Sequence, residues 1–129
     1  MIEVLCVGAG GFIGAICRYL FGLALTGNIF GSAFPMTTLL INLIGSFLIG
    51  LFSVCVPQWF GGNPRALLFL STGILGGFTT FSTFSLETVG LFETGEWFLG
   101  IAYAVLSVVL CVIGALVGRL IGQVIMPQN

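Results

Sequence analysis

Gly73-Ile-Leu-Gly-Gly-Phe-Thr-Thr-Phe-Ser-Thr-Phe-Ser-Leu-Glu87 decides how the chain is read. It lies in the third of four apolar runs, where a continuous helix would be expected. Gly76-Gly77 followed by Thr79-Thr80 is poor material for a helix interior. Glycine adds backbone entropy, and threonine hydroxyls compete for backbone partners. Beyond them, Phe81, Ser82, Thr83, Phe84 and Ser85 bring rings and hydroxyls to membrane depth. Interrupted backbone there is tolerated only when buried in protein or lining a watery cavity. Broken helices near the bilayer midplane often hold ions, because half-helix N-termini present N–H groups and C-termini present carbonyls. The stretch predicts a third span broken at about 76–80, with the rest of the chain as its scaffold.

The composition sets that stretch in a membrane. Of 129 residues, 58% are hydrophobic and 5% charged, and the mean hydropathy is +1.24. Membrane-length runs cover about 4–25, 36–56, 66–92 and 98–125, which predicts an all-α membrane protein of one four-span domain. Three Lys plus Arg, four Asp plus Glu and no histidine give a net charge of −1. That charge argues against a nucleic-acid partner, which would need a basic patch. Without a histidine base or an evident carboxylate pair, hydrolytic chemistry is poorly supplied, and the chain reads as a non-enzyme. Cys6, Cys17, Cys55 and Cys111 lie in apolar runs without Cys-x-x-Cys spacing and read as small apolar fillers. The first run lacks a basic region before it and is long enough to span, so it reads as a span rather than a cleaved signal peptide.

Three spans carry stripes at steps of four residues. In the first, Gly10, Gly14, Arg18 and Gly22 share a face. Arg18 either snorkels to an interface or makes a protein-lined vestibule electropositive, and the glycines beside it favour the vestibule. Thr26 to Pro35 is an uncharged loop broken by Gly27, Asn28 and Gly31. The second span carries Thr38, Asn42, Ser46 and Gly50. An unpaired asparagine in hydrocarbon costs several kcal/mol, so Asn42 either bonds a neighbouring helix or faces water or an ion. Pro57 to Pro64 is the second loop, with Trp59 and Arg65 suited to the interface. Glu93 to Glu96 is a tight acidic connection. The fourth span carries Tyr103, Ser107 and Cys111, then the packing ridge Gly114, Gly118 and Gly122. Arg65 and Arg119 favour cytoplasmic termini, but two residues are a weak bias that permits either orientation.

The polar groups lean towards an anion. Thr38, Asn42, Ser46, Thr80, Ser82, Thr83, Ser85, Tyr103 and Ser107 all donate hydrogen bonds, against one carboxylate within the spans, Glu87. Ring edges are electropositive, so Phe81 and Phe84, three residues apart, could assist an anion; plain core packing is the competing reading. Glu87 could carry protons, bind a cation, or sit near the span's mouth bonded to hydroxyls. Four helices cannot enclose both a pore and a buried break, so association of at least two chains is expected.

These residues resemble the Fluc (CrcB-like) fluoride channels of bacterial membranes. Gly10 to Tyr19 is similar to the family's Gly-Gly-x-x-Gly-Ala-x-x-Arg-Tyr. Thr38 to Gly50 resembles its Thr-Leu-x-x-Asn-x-x-Gly-Ser-Phe-x-x-Gly, and Gly76 to Phe84 its Gly-Gly-x-Thr-Thr-Phe-Ser-Thr-Phe. The resemblance implies an antiparallel, dual-topology homodimer in the bacterial inner membrane, with two fluoride pores along its interface. It implies that Phe81 and Phe84 form a box of ring edges for fluoride and that Asn42 offers amide donors. Tyr103 and Ser107 would belong to a hydroxyl track, with Thr80, Ser82 and Thr83 close by. A structural Na+ at the dimer centre would rest on the backbone carbonyls of Gly76 and Thr79. Arg18 would be the vestibule arginine, and Glu87 the acid beyond the phenylalanines. One turn past Ser107, where a hydroxyl would extend the track, this chain has Cys111, a weaker donor. Two rivals stand beside this reading. One is a proton-coupled exporter of small multidrug-resistance type, which needs a glutamate within the first span where this chain has Arg18. The other is a non-transporting membrane subunit associating through its glycine ridges.

Overall fold

The computed structural model describes residues 1–26 and 34–127 of the chain. Gly27, Asn28 and Gly31 of the first loop, and the last two residues of the C-terminal stub, lie outside the described residues. Helix α1 is Ile2–Thr26 and α2 is Met36–Trp59. The third span starts as α3, Pro64–Leu67, continues as a π-helical segment, Leu68–Leu75, and closes with α4, Gly76–Phe78. Helix α5 is Phe81–Glu93 and α6 is Trp97–Ile125. Among the described residues, four stretches are thus long and apolar enough to cross a membrane: Ile2–Leu25, Met36–Trp59, Pro64–Glu93 and Trp97–Ile125.

The ends of these helices follow from local chemistry. Helix α2 runs through Pro57 rather than ending before it. Proline here removes only the N–H that would have reached the Ser53 carbonyl, one turn from the helix end. The Pro57 carbonyl is itself satisfied by the Gly62 N–H at 2.7 Å, a contact made possible by the positive φ of Gly61 and Gly62. Asn63 then caps α3, its side chain accepting from the Arg65 N–H at 3.0 Å with Pro64 at the first helical position. At the tight acidic connection, Gly95 takes φ 82° and ends α5 in a Schellman turn. Its N–H reaches the Phe92 carbonyl at 3.1 Å, and the Glu96 N–H reaches the Leu91 carbonyl at 2.9 Å.

Glycines decide which spans touch. A Cβ at Gly14 would collide with the carbonyl of Ile74, and one at Gly10 with the carbonyl of Phe69. From the other side, Gly73 lies against Gly10, and Gly77 against the backbone of Gly11. Helix α1 therefore packs backbone-to-backbone on the first half of the third span. A Cβ at Gly22, on the same stripe, would meet no atom of the described residues within 4 Å. Helices α2 and α6 form the most extensive pair. Gly50 rests on the carbonyl of Ala115, while Gly118 rests on that of Phe47. In lipid, where apolar burial drives little association, such close van der Waals contact is the main adhesive.

Between α4 and α5 two residues leave the helical region. Thr79 has φ −77° and ψ 157°, and Thr80 has φ −148° and ψ 111°. Gly45 of α2 makes room for them, since a Cβ there would strike the Thr79 side chain. The small core of buried Leu39, Leu91 and Tyr103 lies beside this point, with Phe84 packed against it. What the fold delivers to its centre is a pair of extended residues held between α1, α2 and α5.

Candidate functional site

Two extended residues in a span leave backbone groups that the membrane will not satisfy. The structure answers with side chains from two other spans. Asn42 of α2 donates through Nδ2 to the Thr80 carbonyl at 3.0 Å and accepts from the Thr80 N–H through Oδ1 at 2.8 Å. Arg18 of α1 donates through Nη1 to the Thr79 carbonyl at 3.3 Å. A cation at that carbonyl also faces the negative end of α4. The Thr80 hydroxyl caps α5, accepting from the Thr83 N–H at 3.2 Å and donating to the Thr83 hydroxyl at 2.9 Å. Ser82 completes a hydroxyl cluster at 3.3 Å from the Thr80 oxygen.

A second network lies one turn further on. Glu87 accepts from the Thr38 hydroxyl at 2.8 Å on one carboxylate oxygen and from the Tyr103 hydroxyl at 2.7 Å on the other. Tyr103 is wholly buried, its ring 5.2 Å from that of Phe84 between centroids. Of the readings open for Glu87, the structure has the carboxylate bonded to hydroxyls of two other helices.

Next to the extended residues is a cavity of about 350 Å³. Asn42, Thr80, Phe81, Phe84 and Ser107 line it, as do Gly76 and Thr79. The two phenylalanine rings stand 5.3 Å apart at 45°, with Phe81 75% exposed and Phe84 half-buried. The Ser107 hydroxyl is buried and has no hydrogen-bond partner among the described residues. Tyr103, Ser82, Thr83, Arg18 and Glu87 are not in the cavity lining; they border it through the two networks. Ser46 and Cys111 do line it. Ser46 belongs to the stripe the sequence displays, one turn after Asn42. The bond from Arg18 to Thr79 joins residues 61 apart and has no signal in spacing. Among the described residues, no cluster of three His, Cys, Asp or Glu side chains assembles.

The fold and site together define a class: a small helical membrane protein with a largely apolar cavity, carrying a few polar side chains, beside the extended residues of its third span. The chain belongs to the CrcB family, described as CrcB-like protein, Camphor Resistance (CrcB), which matches residues 5–119. It is 52% identical over 108 residues to the fluoride-specific ion channel FluC of Ruminiclostridium cellulolyticum, covering 84% of this chain and 82% of that protein. The protein of the same name from Rhizobium meliloti is 47% identical over 110 residues, with 85% and 87% covered. The one from Elusimicrobium minutum is 44% identical over 108 residues, with 84% and 83% covered. The chain is an integral membrane protein of a bacterial inner membrane and not an enzyme.

Proposed function

We propose that this chain is a fluoride-selective ion channel that lets cytoplasmic fluoride leave passively and so lowers its toxicity. The observation that carries the reading is the likeness, over more than four-fifths of the chain, to relatives named fluoride-specific ion channels. The cavity is chemically suited to it. An anion that sheds water needs donors, and Ser107 offers a hydroxyl with no other partner among the described residues. The Asn42 amide keeps one N–H beyond the one given to Thr80, and Phe81 and Phe84 offer ring edges. Ser82 and Thr83 extend the hydroxyl supply along the path; Thr80 and Tyr103, whose protons go to Thr83 and Glu87, hold those partners beside it, and Arg18 draws the anion in. Glu87 orients Thr38 and Tyr103 beside it.

The working unit is an antiparallel, dual-topology homodimer with two pores. In one chain the cavity is open, and Phe81 is three-quarters exposed, so a second copy is needed to close the wall. The break at the dimer centre would hold Na+ through the carbonyls of Gly76 and Thr79. Carbonyl oxygens suit a hard cation, and at Thr79 the ion would share its oxygen with the Arg18 guanidinium. The Thr80 N–H, which a continuous helix would give to Gly76, goes to Asn42 instead and leaves that carbonyl without its helical donor. The bound ion would supply a fixed positive charge at the subunit junction.

Export needs no coupling. Hydrogen fluoride is neutral, crosses lipid and dissociates in the less acidic cytoplasm, and the trapped anion then flows out along the membrane potential. Expression in a fluoride-sensitive bacterium should restore growth on fluoride medium. An abundant, membrane-inserted chain that gives no rescue would contradict the proposal.

A further inference from the structure

Cys111 has a setting different from that of the other thiols. Cys55 is sealed, at 0% exposure, whereas Cys111 is only half-buried and lines the 350 Å³ cavity. One turn before it on α6, Ser107 lines the same cavity at 5% exposure, and its hydroxyl is unpartnered among the described residues. A hydroxyl buried without a partner costs about 1–3 kcal/mol, so this part of the wall holds a donor that a polar guest would satisfy. The thiol is on that wall. Water takes about 30 Å³ of liquid volume per molecule, so the cavity has room for several waters or one small reagent. Cys6 and Cys17 lie on α1, which contributes nothing to the cavity lining.

We infer that Cys111 is a modification site for small polar thiol-directed reagents, and that a group joined there closes the channel. The block rests on the channel reading; the labelling does not. With a methanethiosulfonate, the cysteine thiolate attacks the reagent's sulfenyl sulfur. A new S–S bond forms, the bond to the sulfonyl sulfur breaks, and methanesulfinate leaves with the electron pair. The thiol proton goes to water. The attached group then fills the space between Ser107 and Phe81 that an anion would cross.

The test uses the full chain in liposomes, treated with the trimethylammonioethyl methanethiosulfonate cation. Labelled cysteines are mapped by peptide mass, and fluoride efflux is compared with the same preparation untreated. Denatured protein, in which all four thiols react, is the mapping control. The expected result is label on Cys111 with loss of nearly all efflux, while Cys111→Thr keeps its own untreated rate under the reagent. Label on Cys111 with undiminished efflux would overturn the inference, as would an unlabelled Cys111 under excess reagent. Silent untreated liposomes would overturn the channel reading and with it the block, whereas the mass map would still decide whether Cys111 is reached.

Discussion

Asn42 and Thr80 are joined by two reciprocal hydrogen bonds, 3.0 Å and 2.8 Å long, so that the side-chain amide takes the place of a backbone partner. The pairing fixes the amide's orientation, because only Oδ1 can accept the Thr80 N–H and only Nδ2 can donate to its carbonyl. The extended residues are thereby tied to α2, and the wall of the cavity is tied to the same side chain. Asn42→Ala should destabilise the protein by about 1–3 kcal/mol, since it strands two backbone groups in a membrane interior. Asn42→Asp keeps the acceptor, removes the donor and adds a negative charge, so fluoride efflux should stop. Thermal unfolding in detergent and electrode-monitored efflux read the two effects separately; unchanged efflux from the charged variant would remove Asn42 from the anion path.

Phe81 and Phe84 should part company under substitution. Phe81 is 75% exposed, so Phe81→Ile should change the stability of the single chain by no more than about 0.5 kcal/mol. Its flux should nevertheless vanish, because an aliphatic side chain has bulk without an electropositive edge. Phe84 packs against Tyr103, and Phe84→Ala should cost about 3 kcal/mol or more. Wild-type efflux from a well-folded, dimeric Phe81→Ile protein would refute the ring-edge role.

The glycines sort by what their missing Cβ would meet. Gly14→Ala and Gly118→Ala drive a methyl into the carbonyls of Ile74 and Phe47 respectively. Each should cost about 1–3 kcal/mol through a forced helix shift. Gly8→Ala, which meets no atom of the described residues within 4 Å, should leave the unfolding temperature unchanged or slightly raised. Melting curves of the three variants in one detergent check the order.

Tyr103 serves Glu87 from a fully buried position. Tyr103→Phe removes the hydroxyl from one carboxylate oxygen and should cost about 1–3 kcal/mol. Adding Thr38→Val strips the other oxygen as well. The double variant should then be less stable than either single one, by an amount that departs from their sum because both bonds end on one carboxylate. Additive losses in the unfolding curves would mean that the two hydroxyls act independently of each other.

Apolar runs alone made the four spans legible, and stripes at steps of four picked out Gly10, Gly14, Gly50 and Gly118, which rest on carbonyls of neighbouring spans. Which stripe meets which was not legible, because Gly10 and Gly118 look alike in sequence and differ only in the carbonyl each rests on. The π-helical turn at Leu68–Leu75 had no signal, since leucine and phenylalanine suit either helix. Asn42 was readable as a polar group in need of a partner, but its partner is backbone, and backbone has no letter. The extension of α2 through Pro57 was missed because a proline near a helix end costs one hydrogen bond, not the helix. Cys111 read as filler because composition cannot show a cavity.

The measurement closest to the central claim is ion efflux from liposomes containing the purified protein, followed with a fluoride electrode and then a chloride electrode. Potassium-loaded vesicles with valinomycin provide the counter-current. Fast fluoride release with negligible chloride release is the expected result. Silence for both ions from protein shown to be folded and dimeric would contradict it and bring a non-transporting membrane subunit to the front.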